Sequence, residues 1–281
     1  MSATTEVSFV VPTKNSARTI EACLRSIRAQ EGVKLELLVT DNSSSDHTQQ
    51  IAAQYADEVL VQGPERSAQR NAGFERSRAP IVVFVDSDMV LEPRVGAEIV
   101  QAMSADPVVG ALVVPERAFG KGFLARCRVL EKELYLGDPA VEAARAFRRT
   151  ALDQVGGYDT RLTGPEDWEL PDRVVQAGWT LGRTTSQVWH DEGGVRLLGQ
   201  FGKKRYYGRG FYHYRRQMSG LPTRPVARRS LAQPKILLRK PLQSMGLAVL
   251  KLSEVHGLAS GYADEAVKQY LFDRRVRNLK G

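Results

Sequence analysis

The sequence predicts an α/β fold: a mostly parallel sheet flanked by helices, followed by a basic helical C-terminal extension. Three observations predict it. Over the first 115 residues, β-rich runs alternate with amphipathic segments at roughly 30-residue spacing, the pattern of parallel strands joined by helical crossovers. The run PIVVFVDSD at 80–88 is apolar without alternation, as a strand buried on both faces must be. From residue 195 onward the composition changes abruptly and becomes strongly basic.

The elements follow in order. VSFVVPT at 7–13 reads as the first strand and ARTIEACLRSIRAQ at 17–30 as its helix. LELLVTD at 35–41 is a second strand, SSDHTQQIAAQYA a helix, DEVLVQG a third strand and SAQRNAGFERSR another helix. Beyond 115 the pattern loosens into a helical EKELYLGD region, a Gly-rich turn GGYD at 156–159, EDWELPDRVVQAG at 166–178 and a short strand and turn, TSQVWHDEGG. In open α/β sheets ligands bind beyond the carboxyl ends of the strands. The residues to watch are therefore Thr13 to Asn15, Asp41 to Ser44 and Asp86 to Asp88.

The 281 residues are 42% hydrophobic and 26% charged, which excludes collagen-like, disordered and disulfide-scaffold classes. The net charge of +8 conceals an asymmetry: residues 1–194 carry 21 basic and 28 acidic side chains, net −7, and residues 195–281 carry 19 and 4, net +15. An acidic body suits a cation or a polar substrate, and a basic tail suits an anionic partner. Cys23 and Cys127 lack metal-site or disulfide spacing and fit a reducing cytoplasm. No secretory signal is visible at the N-terminus, and no uncharged apolar run approaches the ~18 residues of a transmembrane helix.

The strand ends carry oxygen ligands. Asp86 and Asp88, either side of Ser87, offer hard donors of the kind Mg²⁺ or Mn²⁺ uses beside substrate phosphates, unless one of them caps the next helix. Ser43 to Asp46 has the form of a capping box, and Asp41 precedes it. Arg66, Arg70 and Asn71 surround a helix start, where amide N–H groups and guanidinium forks suit phosphate, although Arg66 also suits a surface ion pair. Glu166, Asp167 and Glu169 form either the acidic first turn of a helix or a directed set of carboxylates. Trp168 fits the core or a sugar face, and His190 fits a surface position or a metal.

Taken together, VVPTKN, DNSSSDHT, QRNAG, IVVFVDSD, GGYD and EDWEL occur in the order and approximate spacing of the family 2 glycosyltransferases, and the chain resembles that family over residues 7 to about 194. The resemblance implies the GT-A fold. It also implies that Pro12, Thr13 and Asn15 line a nucleotide pocket, that Asp41 holds the base, and that Arg70 and Asn71, beside Arg66, meet ribose and diphosphate. Of the DxD-like motif, Asp86 and Ser87 face the nucleotide sugar and Asp88 binds the metal, with His190 as a further ligand. Asp167 becomes the base of an inverting transfer, and Glu166 and Trp168 lie on the acceptor side. Asn42 stands where many family members have a second Asp, which leaves uracil and guanine both open.

The expected organisation is a catalytic domain at 1–194, with a nucleotide-sugar half to about 115 and an acceptor half from 116, then the extension at 195–281. Between 200 and 229 nine Lys or Arg are interleaved with six aromatics and no acid. That composition fits an anionic membrane surface across 200–260, at about 1 kcal/mol per cation, and also fits single-stranded nucleic acid; beside a transferase the membrane outranks nucleic acid. Packing of this segment on the catalytic domain is the structural alternative. The expectation is a cytoplasmic-face, metal-dependent transferase using Mn²⁺ or Mg²⁺, a UDP- or GDP-type sugar, and a glycan or lipid-linked acceptor. A polyprenyl-phosphate glycosyltransferase and a non-catalytic sugar- or nucleic-acid-binding protein on the same fold are the alternatives.

Overall fold

The computed structural model describes residues 5–138, 141–217 and 233–280. The expected strands are present: β1 (Val7–Thr13), β2 (Leu35–Asp41), β3 (Glu58–Val61) and β4 (Ile81–Phe84). They pair in parallel in the order β3-β2-β1-β4. Three later strands, β8 (Ala144–Arg148), β6 (Val109–Val113) and β9 (Thr180–Arg183), extend the sheet to seven. β8 runs antiparallel to both its neighbours, and β6 and β9 are parallel to each other. The sheet is mostly parallel and covered by helices, as expected, with β8 as its antiparallel strand.

Alternation along β1 builds both halves of the core. Val7, Phe9 and Val11 are fully buried with Ile20, Leu24 and Ile27 of α1 (Ile20–Arg28) and Val95 and Ile99 of α4 (Val95–Ala105). On the opposite face Val10 packs with Phe84, Phe147 and residues of α6 (Arg149–Val155) and α7 (Glu166–Gln176). α3 (Arg66–Arg76) crosses close over that face, because a Cβ at Gly73 would collide with the Val10 side chain. Gly73 thereby brings the N-terminal turns of α3 to the carboxyl end of β1.

The helix expected after β2 is shorter than its pattern, α2 covering only Thr48–Ala52. Ser43 sits at φ 49 and does not cap it. Asp46 instead accepts from the Thr48 and Ala17 amides, tying this loop to the one after β1.

A second, three-stranded sheet of β5 (Met89–Leu91), β10 (Val188–Asp191) and β7 (Glu116–Phe119) crosses the end of the first. Its register sets His190 opposite Met89, next to Asp88.

The extension contributes α8 (Leu197–Gln217), α9 (Pro234–Arg239) and α10 (Pro241–Lys280). Arg224, Arg228 and Arg229 of the basic stretch lie outside the described residues. α8 and α10 approach backbone to backbone: added Cβ atoms at Gly208, Gly257 and Gly261 would each strike backbone of the facing helix. α10 also packs on α5 (Phe123–Tyr135), where Leu247 and Leu250 meet Cys127, Leu130 and Leu134. A buried ionic cluster reinforces this seam, with Arg128 paired to Glu131 and Glu254, and Lys251 to Glu131. The extension packs on the catalytic domain along both long helices, which is the structural alternative stated above.

Candidate active site

Strand ends and the second sheet meet in one cleft lined by Pro12, Thr13, Lys14 and Ser16 of the β1 end, Arg66 and Gln69 of α3, Asp86 to Asp88, His190 and Lys203. Gln69 is buried and donates to the carbonyls of Thr13 and Thr40, bridging the ends of β1 and β2. Ser87 donates to Ser16, joining the DxD-like turn to the β1 loop. Asn15, at φ 49, accepts from the Ser45 amide.

Asp88 and His190 come together as the resemblance implies. His190 Nε2 lies 3.1 Å from Asp88 Oδ2, and His190 Nδ1 lies 2.8 Å from Glu116 Oε1. Burial alone would lower the imidazole pKa, but hydrogen bonds to Asp88 and Glu116 and their charges push it up to about 10. Asp88 Oδ1 is buried without a hydrogen-bond partner. An orphaned carboxylate oxygen beside an imidazole whose other nitrogen is held by a carboxylate fits a divalent cation. Among the described residues no three His, Cys, Asp or Glu side chains form a metal cluster. Mg²⁺ is commonly held through one or two carboxylates together with water and substrate phosphate, and Asp88 supplies one such carboxylate.

Arg70 organises the other side. Its side chain is 1% exposed, and it donates to Asp86 Oδ1 at 2.9 Å and to Asp167 Oδ1 at 2.7 Å. Its guanidinium lies 5.0 Å from the centroid of the Tyr158 ring. Burial disfavours ionised Asp86, but Arg70, then Arg145, outweigh it and hold the carboxyl well below the usual range. Glu166 goes the other way: burial, then the Asp167 charge, raise its pKa against the pull of Arg66 and Arg70.

Three expected donor contacts have other partners. Arg70 is occupied by two carboxylates and positions them. Asn71 spends both ends of its amide on the Tyr158 backbone, donating to the carbonyl and accepting from the N–H, each at 2.8 Å. It thereby clamps the GGYD turn, where Gly157 at φ 69 leaves no room for a Cβ beside Asn71. Asp41 is fully buried and accepts from Ser44 N, Ser44 Oγ and Gln49. It organises the loop on which the base was expected.

Glu166 and Asp167 open α7 as the acidic turn foreseen from the sequence. Glu166 is buried against Arg66 at 2.9 Å, while Asp167 is 31% exposed. Trp168 donates to the Val141 carbonyl and meets Phe211 of α8 edge-on, so it serves packing.

Sequence reasoning missed Glu116, Arg145 and Lys203. Arg145 in β8 pairs with Glu116 at 2.7 Å and lies 3.5 Å from Asp86. An Arg inside the apolar strand ARAF was the available signal. Glu116 and Lys203 carried none, because only folding brings β7 and α8 to the cleft.

Residues 8–156 match the family model for Glycosyl transferase family 2. Glycosyltransferase AglE of Haloferax volcanii is 36% identical over 194 residues, covering 62% of this chain and 63% of that protein. The pre-mycofactocin glycosyltransferase of Mycobacterium tuberculosis is 30% identical over 227 residues, covering 72% of this chain and 46% of that one. The chain thus spans less than two thirds of the length of these relatives. Among solved structures, mannosyltransferase PcManGT from Pyrobaculum calidifontis, in complex with GDP-Man and Mn²⁺, superposes with a TM-score of 0.58 at 20% identity over 96% of this chain and 81% of that one. TarS 1–349 of S. aureus in complex with UDP-GlcNAc does so at 0.51 and 16% identity over 94% and 92%. These likenesses are of fold. On the family match, which covers more than half of its length, the chain belongs to glycosyl transferase family 2 and has the GT-A fold.

Proposed function

We propose that the chain transfers a sugar from a nucleoside-diphosphate donor to an acceptor hydroxyl with inversion, at the cytoplasmic face of a membrane. The observation that carries this is the pairing of Asp88 with His190 at one end of the cleft, and of Asp86 with Asp167 through Arg70 at the other. PcManGT was solved with GDP-Man and Mn²⁺, and TarS with UDP-GlcNAc, which supports a nucleotide-sugar donor of either base.

Pro12 and Thr13 would border the nucleotide, and Asp88 with His190 would hold Mn²⁺ or Mg²⁺. When bound there, a divalent cation supplies charge neutralisation for the departing diphosphate. Asp167 is held through Oδ1 by Arg70, and its Oδ2 takes no protein hydrogen bond among the described residues. That oxygen accepts the acceptor hydroxyl's proton as the oxygen attacks the anomeric carbon, and the pair of electrons in the old glycosidic bond leaves with the diphosphate. Arg70 keeps the carboxylate aimed.

Thermal shift with UDP, GDP and dTDP, each with and without Mn²⁺, tests the donor assignment. Stabilisation by one of them with a metal requirement supports the reading, and none by any of the three overturns it.

Membrane attachment has its own support. On α10, Leu242, Met245, Val249, Leu252, Val255, Val267 and Tyr270 are all more than half exposed, and at 100° per residue they share one face. Exposed Lys235 and Arg239 on α9 add the charge that anionic lipid attracts. No described helix is long and apolar enough to cross a membrane. Co-sedimentation with phosphatidylserine vesicles at low salt, abolished by Leu252→Glu, is the expected result; equal sedimentation of the variant would remove this face from the account.

A further inference from the structure

The basic extension reaches the cleft. Lys203, on the second turn of α8, lines it together with Arg66, Asp86, Asp88 and His190. α8 is locked in place there by close contacts. Tyr206 donates to both oxygens of Glu65, at 2.5 and 2.6 Å, and the Tyr207 hydroxyl accepts from Arg66 at 3.2 Å. Tyr207 lies against Gly164, where a Cβ would stand 2.9 Å from its own, and Gly210 is pressed on the Thr163 backbone.

The cations of the neighbourhood divide sharply by partner. Arg70 is spent on Asp86 and Asp167, Arg145 on Glu116 and Asp86, and Arg66 on Glu166. Lys203, like Lys14 at the β1 end, is exposed and has no ion pair among the described residues. Its Nζ lies 5.8 Å from the Tyr207 ring centroid, with Lys204 at 5.7 Å and Arg66 at 5.5 Å around the same ring. Three cations around one tyrosine repel one another, and among the described residues only Arg66 of the three has a carboxylate within ion-pair distance. Such an arrangement invites an anion into the cleft.

We propose that Lys203 holds the diphosphate of the nucleotide donor, so that α8 completes the donor site from outside the family-matched region. This rests on the donor reading above. The position of Lys203 among strand-end and DxD-like residues favours the donor diphosphate over a phosphate on the acceptor. Lysine suits the task as a mobile point charge that follows the phosphates as they separate from the sugar.

The test is calorimetric titration of the full chain, in Mn²⁺, with UDP, GDP, UMP and GMP. Lys203→Ala is expected to weaken the preferred diphosphate by about tenfold or more and to leave its monophosphate within about twofold. Lys203→Arg should restore most of the loss, and Arg209→Ala, removing an exposed cation of α8 outside the cleft, should change neither. Unchanged diphosphate binding by Lys203→Ala, or equal losses for both nucleotides or with Arg209→Ala, would overturn the assignment. If the parent binds neither of these diphosphates, nor dTDP in the thermal-shift screen, the donor reading itself fails, and this inference with it.

Discussion

Arg70 Nη1 donates to Asp167 Oδ1 at 2.7 Å from a side chain that is 1% exposed, while its Nη2 holds Asp86 at 2.9 Å. One buried guanidinium thereby fixes the distance between the DxD-like turn and the carboxylate at the start of α7. Arg70→Ala leaves Arg145, at 3.5 Å, as the remaining ion pair of Asp86 among the described residues and frees Asp167 to rotate. We expect a loss of about 3–5 kcal/mol in stability, as for a broken buried pair. Arg70→Lys, which keeps charge but cannot fork to both carboxylates, is expected to lower kcat at least about tenfold with little change in donor KM. Steady-state kinetics on folded Arg70→Lys checks this; a change confined to KM would count against the positioning role.

Glu116 reaches the site through His190 on one side and Arg145 on the other. Replacing it by Gln removes the carboxylate that orients the imidazole, and losing such a partner of a metal-binding His costs about 10- to 100-fold in metal affinity. The measurement is Mn²⁺ binding followed by electron paramagnetic resonance, with Asp88→Asn as the stronger case. Unchanged Mn²⁺ affinity in both variants would remove the metal from this pair.

Gly210 gives a prediction with an inverted sign. In an exposed helix interior Gly→Ala stabilises by about 1 kcal/mol, but here the new Cβ would meet the Thr163 backbone. The Gly210→Ala protein should therefore melt lower than the parent, and its activity should fall because the loop from Thr163 to Pro165 leads directly into Glu166 and Asp167. A raised Tm would mean that α8 does not press on this loop.

The seam between α5 and α10 sets an acid limit. Burial opposes ionised Glu131, but Lys251 and then Arg128 hold its pKa down to about 2 against 4.5 for the free side chain. A depressed carboxyl contributes stability that is complete above the unfolded value and is lost as pH falls from about 5 toward 2, on the order of 3 kcal/mol for this shift. Tm measured across that window should fall steeply in the parent and less steeply in Glu131→Gln, whatever the variant's absolute stability. Identical slopes would show that Glu131 is not the group responsible.

The sheet was legible because its strands obey a simple physical rule. β1 and β2 match their apolar runs residue for residue, and Asp41 and Asp86 stand at strand ends as the topology requires. α2 was overestimated because the polar residues of SSDHT satisfy one another and the β1 loop in place of helical amides. The meeting of Asp88 with His190 followed from the motif order, and the register of β10 on β5 accounts for it. Local sequence could not show that Arg70 and Asn71 have partners inside the protein, since Asp167 is 97 residues from Arg70 and Tyr158 is 87 from Asn71. It also hid the role of the extension. A charge count treats +15 as one surface, whereas the fold sends Lys203 to the cleft, Lys251 to Glu131 and Arg205 to Asp264.

The central claim is that Asp167 takes the acceptor proton while the rest of the site binds the donor. The direct measurement pairs transfer rate with donor affinity in Asp167→Asn, using the nucleotide sugar that the thermal-shift screen selects. Asn preserves shape and a hydrogen bond to Arg70 but cannot accept a proton, so kcat should drop by about 10²- to 10⁴-fold with donor Kd within about twofold. Transfer at the parent rate would contradict the account and would point to an acceptor that is already an anion.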